Sequence, residues 1–230
     1  MANDVTLSDL RTRAKNRADM ASSSFVSDAE WKDYINEGIS ELHDIIVANY
    51  ENQIITSKTV SLVAGTDTYV LPSDVYKVVG MDYETGSQRY TLRRFMWAER
   101  NRYRQTILHS GVDVFGGPYY EYSLEGNNFR MIPLPSSSAT IRIWYVPQCV
   151  NLSLDTDVVN YTVVRGWEQF IILTSAIKAL AKEETDTTTL QNEKAELKQR
   201  LVLMSAQKDI SEPARVYDVD DAYTRRWTWR

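Results

Sequence analysis

The sequence predicts an α+β fold: a helical bundle of N-terminal helices and a long C-terminal helical hairpin, an inserted antiparallel β-rich segment and an extended C-terminal arm. Apolar residues recur every three or four positions in the first 53 residues and again from Gly166 to Asp209, as on one face of a helix. Between Ile54 and Val158 the period falls to two, which favours strands. After Pro213 no period lasts. We therefore divide the chain into residues 1–53 and 159–211 of one helical body, a β-rich insertion at 54–158, and an arm at 212–230.

The N-terminal region contains two capping boxes, each of which marks the start of a helix. Thr6 is followed three residues later by Asp9, and Ser27 by Glu30. Gly38 lies on the apolar side of the second helix, where its missing side chain lets another helix approach closely. That apolar side consists of Trp31, Ile35, Ile39, Leu42 and Ile46.

The first helix carries a basic face that has two interpretations. It is either a solvated helix face, which we favour, or a contact for nucleic acid or a partner protein. The face consists of Arg11, Arg13, Lys15 and Arg17.

The insertion reads as a series of strands and tight turns. Tyr76 to Tyr83 predicts a strand that returns through RYTL, and Gly126 with Asn127 predicts a second hairpin turn. A further strand ends at Pro147. The run FMWAERNRYRQ, from Phe95 to Gln105, predicts a helix across the outside of the sheet, and we expect a mobile loop at Gly116 and Gly117.

The stretch from Gly166 to Asp209 organises the rest of the chain. Its first half, GWEQFIILTSAIKALAKEE, is apolar around much of its circumference and predicts a nearly buried helix. A threonine-rich interruption follows, in which Asp186 or Thr187 can cap a new helix start. We expect a helical hairpin, and a single kinked helix is the alternative.

The second half of this stretch has one narrow apolar stripe on a charged surface. Such a helix packs along one face only. We predict that the stripe takes part in contacts between subunits; its residues are Leu190, Leu197, Leu201 and Met204.

The arm differs from a solvated tail because it is rich in aromatic residues, which disordered tails normally lack. We predict that it docks on a partner protein, and the alternative is that it packs back on its own subunit. The predicted docking residues are Arg215, Tyr217, Tyr223, Arg225, Arg226, Trp227, Trp229 and Arg230.

Composition and motifs point away from an enzyme. The formal net charge of −5 argues against a protein that grips nucleic acid, and the lone Cys149 excludes an intrachain disulfide and favours a reducing cytoplasm. His43 and His109 lack metal-ligand spacing, and no nucleophile elbow, Walker or dinucleotide motif occurs. The paired acids Glu183–Glu184 and Asp220–Asp221 read as solvating groups. We expect no catalytic residue, cofactor or metal, and neither export nor a membrane span.

The order of these segments resembles the tailed-bacteriophage head-to-tail adaptor proteins of the podovirus-like group, the neck subunits that sit under the portal. The resemblance covers nearly the whole length. It rests on LSDLRTRAKNRADM, FVSDAEWKDYINEGISELHDIIVANY, GTDTYVLPSDVYKVVG, AERNRYR, NNFRMIPLP with WYVP, and GWEQFIILTSAIKALAKEETDTTTLQNEKAELKQR followed by DISEPARVYD.

The resemblance implies a structural virion protein with no enzymatic residues, and it makes the portal the partner on which we predict that the arm docks. It implies a ring, typically of twelve subunits, that is assembled in the host cytoplasm, lies in the virion neck between portal and tail, and contacts neighbouring adaptors and a downstream tail or nozzle protein. Double-stranded DNA would pass through it without specific binding during genome ejection. The alternatives are another neck subunit, such as a stopper or tail-completion protein, and a tail-associated receptor-binding or carbohydrate-active protein.

Overall fold

Four α-helices and two four-stranded β-sheets make up the part of the chain that the structure describes. The structure is a computed structural model, and it describes residues 5–49, 54–101, 120–135, 138–159 and 167–206. Both predicted capping boxes are confirmed, because Thr6 and Asp9, and likewise Ser27 and Glu30, exchange side-chain to backbone hydrogen bonds. The helices are α1 (Leu7–Arg17), α2 (Asp28–Asn49), α3 (Glu168–Lys182) and α4 (Thr188–Ala206).

Helix α3 is the centre of the helical region. Its apolar residues Phe170 and Ile171 are fully buried in a cluster that also holds Leu10 of α1 and Ile39 of α2. A Cβ atom placed on Gly38 would lie 3.4 Å from the Ile171 backbone. The predicted close approach of a second helix at Gly38 is therefore confirmed, and the second helix is α3.

The first sheet has the strand order β1-β8-β3-β4, and every neighbouring pair is antiparallel. Side chains along its strands alternate between two faces. The inner face carries Met81, Ile141 and Ile143, and the outer face carries charged side chains. The strands are β1 (Thr56–Ser61), β3 (Val75–Thr85), β4 (Gln88–Thr91) and β8 (Thr140–Pro147).

The second sheet has the strand order β2-β7-β6-β5 and includes one parallel pair, β5 with β6. Phe129 and Met131 of this sheet share one hydrophobic cluster with Met81, Ile141 and Ile143 of the first sheet. The two sheets therefore have a common core. The strands are β2 (Thr68–Val70), β5 (Arg93–Arg94), β6 (Glu121–Glu125) and β7 (Asn128–Ile132).

Polar contacts join the sheet region to α2. The Asn36 side chain donates to the Leu152 carbonyl at 3.0 Å and accepts from the Leu152 N–H at 2.8 Å, as a neighbouring strand would. Tyr76 of β3 donates to Asp44 at 2.9 Å. These bonds fasten both β3 and the segment after β8 to one helix.

The predicted fold class, a helical bundle with a long C-terminal hairpin, is wrong. Within the described residues, eight strands in two sheets stand beside four helices, and one strand pair is parallel. Helix α3 packs mainly on α2 and α1, and α4 is peripheral. The physical reason is that α3 is apolar enough to need several neighbours, whereas the stripe of α4 is too narrow to be its main partner. The predicted arm lies outside the described residues.

The helix predicted from Phe95 to Gln105 is also wrong over its described part. Only a 3-10 turn at Trp97–Glu99 forms there. The Phe95 N–H donates to the Tyr122 carbonyl at 2.9 Å, so pairing with β6 holds the start of this run in an extended conformation. Tertiary hydrogen bonding here overrides the local helix preference of the sequence. Residues 102–105 lie outside the described part.

Candidate functional site

The predicted contact stripe of α4 is divided between the chain's own core and the surface. Leu201 is only 1% exposed and packs in the cluster around Phe170. Leu190 packs against the Trp31 cluster, and Leu197 is half-buried. Met204, by contrast, is 54% exposed. Two members of the stripe thus stabilise the subunit itself, and a contact between subunits through the stripe stays a prediction.

Two ion pairs also link α4 to the other helices. Lys194 forms an ion pair of 2.7 Å with Glu41 of α2 and lies 5.0 Å from the Phe170 ring centre. Glu193 pairs with Arg17 of α1. Since each exposed ion pair contributes little to the stability of the fold, α4 is attached less firmly than α3.

The basic face of α1 is largely neutralised within the chain. Arg11 donates two hydrogen bonds to the Asp155 carboxylate, at 3.0 and 2.9 Å, and Lys15 pairs with Asp28 at 2.7 Å. The Lys15 ammonium lowers the pKa of Asp28. Arg13 is exposed. Most of the positive charge on this face thus joins α1 to its neighbours, a use that neither sequence interpretation included.

The outer face of the first sheet carries a charged network. Arg142 of β8 donates to Glu84 of β3 at 2.7 Å, and Arg89 of β4 pairs with the same carboxylate at 2.7 Å. Arg142 is the main cause of the lowered pKa of Glu84. The Trp144 indole donates to Asp82 at 2.7 Å. The network joins neighbouring strands of the sheet in register.

A depression of about 650 Å³ lies beside the 3-10 turn after β5. At its rim, Met96 is 76% and Trp97 47% exposed, and the guanidinium carbons of Arg100 and Arg130 lie 5.2 and 5.8 Å from the Trp97 ring centre. In the sequence, the adjacent methionine and tryptophan are the signal for this surface. The helix predicted over this run does not place the two side chains at an exposed rim. The depression is lined by Arg94, Phe95, Met96, Trp97, Ser123, Leu124 and Glu125.

The arm residues, from Arg215 to Arg230, lie outside the described residues, so arm docking stays a prediction. The same holds for His109, Gly116, Gly117 and the Asp220–Asp221 pair.

The described residues bring together few groups with catalytic or ligand-binding chemistry. His43 is buried in α2, with Nε2 3.2 Å from the Pro147 carbonyl oxygen and its ring packed edge-on to Tyr76. Glu183 and Glu184 are exposed after the end of α3. Within the described ranges, no three His, Cys, Asp or Glu side chains cluster as metal ligands, and each helix is too short or too polar to cross a bilayer.

Comparison with known proteins bears on the surfaces described above. No curated protein matches the chain. A family model described as SU10 adaptor protein matches residues 5–224, which include both the helical region and the two sheets. The resemblance to phage head-to-tail adaptors predicted from the sequence is thereby confirmed. Since the match spans nearly the whole chain, the chain belongs to the SU10 adaptor protein family.

Proposed function

We propose that this chain is the adaptor subunit of a phage neck and that its copies form a ring, of about twelve subunits, beneath the portal. The ring continues the DNA channel and offers an attachment surface to a downstream tail or nozzle protein. It has no enzymatic activity and is assembled in the host cytoplasm. The single observation that carries this proposal is the family match over residues 5–224.

The described surfaces support a role in contacts between proteins. No other described strand covers the two edges of the first sheet, and the exposed Met96 and Trp97 form an apolar rim beside the 3-10 turn. Large apolar side chains at a surface are typical of protein interfaces. The arm, with Trp227 and Trp229 among four arginines, supplies the residue types that most often dominate interface energies.

The charge balance suits a channel that DNA passes. The chain has a net charge of −5, and on the basic face of α1 Arg11, Lys15 and Arg17 are paired to acids of the same chain, so this face has few cations left to bind phosphate. An acidic wall repels the DNA backbone. DNA therefore passes without sequence-specific binding.

Electron microscopy of the purified protein with and without its portal tests the proposal. We expect closed rings of many copies seated on the portal, while the free protein stays smaller. One or two copies on each portal, with no closed ring, would contradict the proposal. Binding only to a preformed adaptor ring of another protein, and not to the portal, would instead identify a stopper.

A further inference from the structure

The first sheet ends in two strands whose outer edges no other described strand covers. β1 forms one edge and β4 the other. Because all three pairings are antiparallel and the sheet has four strands, β1 and β4 run in opposite directions. A second copy in the same orientation can therefore add its β1 antiparallel to β4 of the first.

We propose that adjacent copies of this chain join head to tail through these edges, with β4 of one copy paired to β1 of the next and Tyr90 opposite Val60. The inference rests on the proposed ring and names the surface that builds it. A head-to-tail contact of this kind repeats from copy to copy and closes into a ring when the rotation permits.

The hydrogen-bonding groups on the two edges match. The Leu62 N–H donates to the Ala139 carbonyl at 2.8 Å, so the backbone N–H and C=O groups of Leu62 point towards β8. In an antiparallel pair the bonded positions alternate, so the N–H and C=O groups of Thr59 and Ser61 point away from β8. The Leu92 N–H donates to Met81 at 2.8 Å, and by the same rule Arg89 and Thr91 point away from β3. Each edge thus offers donors and acceptors two residues apart.

Side-chain rows across the sheet select the register. On the inner face, one row of side chains crosses the strands in the order β1, β8, β3 and β4. Its members are Val60, Ile141, Tyr83 and Tyr90. Val60 and Tyr90, at the two ends of this row, are the partly buried members, and the two between them are buried. Tyr90 beside Val60 of the next copy continues the row as an aromatic and β-branched pair, which stabilises antiparallel strands.

The outer face agrees with the same register. There the row runs through Thr59, Arg142, Asp82 and Thr91. Continuing it places Thr91 opposite Thr59 of the next copy, and it places Arg89 opposite Ser61. Threonine pairs are favourable across strands, and no two like charges face each other.

The second sheet does not offer this pairing. Its edge strands β2 and β5 run in the same direction, because β5 is parallel to β6 while the other pairs are antiparallel. A copy in the same orientation would have to pair in parallel, and these edges have only three and two residues. Strand direction and length therefore both favour the first sheet.

Lys58 on β1 explains how an open edge is compatible with a free subunit that stays unassembled. Its side chain is exposed on the edge strand, and lysines at such positions oppose indiscriminate strand pairing. The long aliphatic stem can lie along a correctly placed neighbour while the ammonium group stays in water. Pairing then depends on a portal that aligns the copies.

Paired cysteines test the contact in the full chain. In a Cys149→Ala background, Thr59→Cys and Thr91→Cys are introduced together and portal-bound assemblies are oxidised. Within one chain these positions lie three strand spacings apart, about 14 Å, which is too far for a disulfide. We expect a ladder of dimers, trimers and larger species on a non-reducing gel, and none from either single-cysteine variant.

The outcomes separate this inference from the proposed function. Closed rings in micrographs with no ladder would overturn edge pairing while the ring stands. A ladder from Thr59→Cys with Arg89→Cys, but not from Thr59→Cys with Thr91→Cys, would overturn the register. If the unmodified chain gives no ring on the portal and the variants give no ladder, both proposals fail.

Proline provides a second, independent test. Thr59→Pro removes an N–H that points away from β8, so the subunit's own sheet keeps its hydrogen bonds. We expect this variant to melt close to the unmodified chain but to lose ring formation. The matched control is Val60→Pro, which removes an N–H bonded to β8 and should lower the melting temperature. Rings from Thr59→Pro that resemble those of the unmodified chain would contradict the proposal.

Discussion

At the level of single residues, Gly38 sets how closely α2 and α3 approach. An alanine Cβ would lie 3.4 Å from three atoms of Ile171, which is just tolerable contact, while helix propensity would improve by about 1 kcal/mol. We expect Gly38→Ala to leave the free energy of unfolding within about 1 kcal/mol of the unmodified value. Gly38→Leu adds atoms that have no space and should destabilise by about 1–3 kcal/mol or more. Urea denaturation measures both, and equal stability of all three chains would show that the helices do not meet there.

The titration of Glu30 should be measurable as a pH dependence of the melting temperature. Its carboxylate accepts from Lys182 at 2.6 Å and from the Ser27 N–H at 2.9 Å, and these bonds, the Lys182 contact first, lower its pKa from 4.5 to about 2. A lowered pKa in the folded state stabilises the fold above pH 4.5, and this contribution disappears as the pH falls towards 2.

We therefore expect Glu30→Gln to melt below the unmodified chain at pH 7 and the two melting curves to converge near pH 2. Melting temperatures measured from pH 2 to pH 7 check this. Glu183→Gln, which removes the same charge from the exposed end of α3, is the control and should follow the unmodified chain. A constant gap between Glu30→Gln and the unmodified chain at all pH values would contradict the assignment.

At the level of elements, α4 combines one buried anchor with an exposed end. Leu201→Ala empties a side chain that is 1% exposed and should destabilise by about 2–5 kcal/mol. Met204→Ala, on a side chain that is 54% exposed, should change the free energy of unfolding by less than about 0.5 kcal/mol. Chemical denaturation of the two variants distinguishes them. If Met204→Ala also weakens ring formation, the contact predicted for the stripe gains support; similar destabilisation by both variants would contradict the placement of α4.

Elements with a strong period or an unambiguous cap could be predicted from the sequence. The capping boxes at Thr6 and Ser27 and the hairpin turn at Gly126 depend on neighbouring residues only, and all three form where the sequence indicates. The arrangement of the elements could not be predicted. The parallel pairing of β5 with β6 and the burial of Leu201 depend on residues far away in the chain.

At the scale of the whole molecule, the arm is predicted to attach the subunit to its portal. In an extended chain Trp227 and Trp229 share one side, so both can enter apolar pockets of a partner. We expect deletion of residues 213–230 to leave the melting temperature nearly unchanged and to weaken portal binding strongly, since losing one such hot-spot residue typically costs about 2 kcal/mol. A thermal melt and a portal pull-down measure the two effects. A large fall in melting temperature with portal binding retained would show that the arm packs on its own subunit.

The sequence predicts only some of the candidate contact surfaces of the molecule. The basic face of α1 was visible as a pattern, but its pairing with Asp155 and Asp28 depends on how the chain folds back. The open edges at β1 and β4 could not be found at all, because strand order is not encoded in any local period. The sequence pattern shows which face of a helix or strand is apolar or charged. Which of these faces stays exposed depends on how the helices and strands pack against one another.

The covering of α2 by α3 has a consequence for the order in which the chain is made. The ribosome releases α2 early, with Ile35 and Ile39 still exposed, and the helix that buries them follows only after both sheets. The bond between Asn36 and Leu152 likewise joins positions 116 residues apart. Contacts this distant slow folding, and an exposed apolar helix in a nascent chain invites aggregation. The helical region should therefore reach its native state only near the end of synthesis, and chaperones that shield apolar segments are of most use until then.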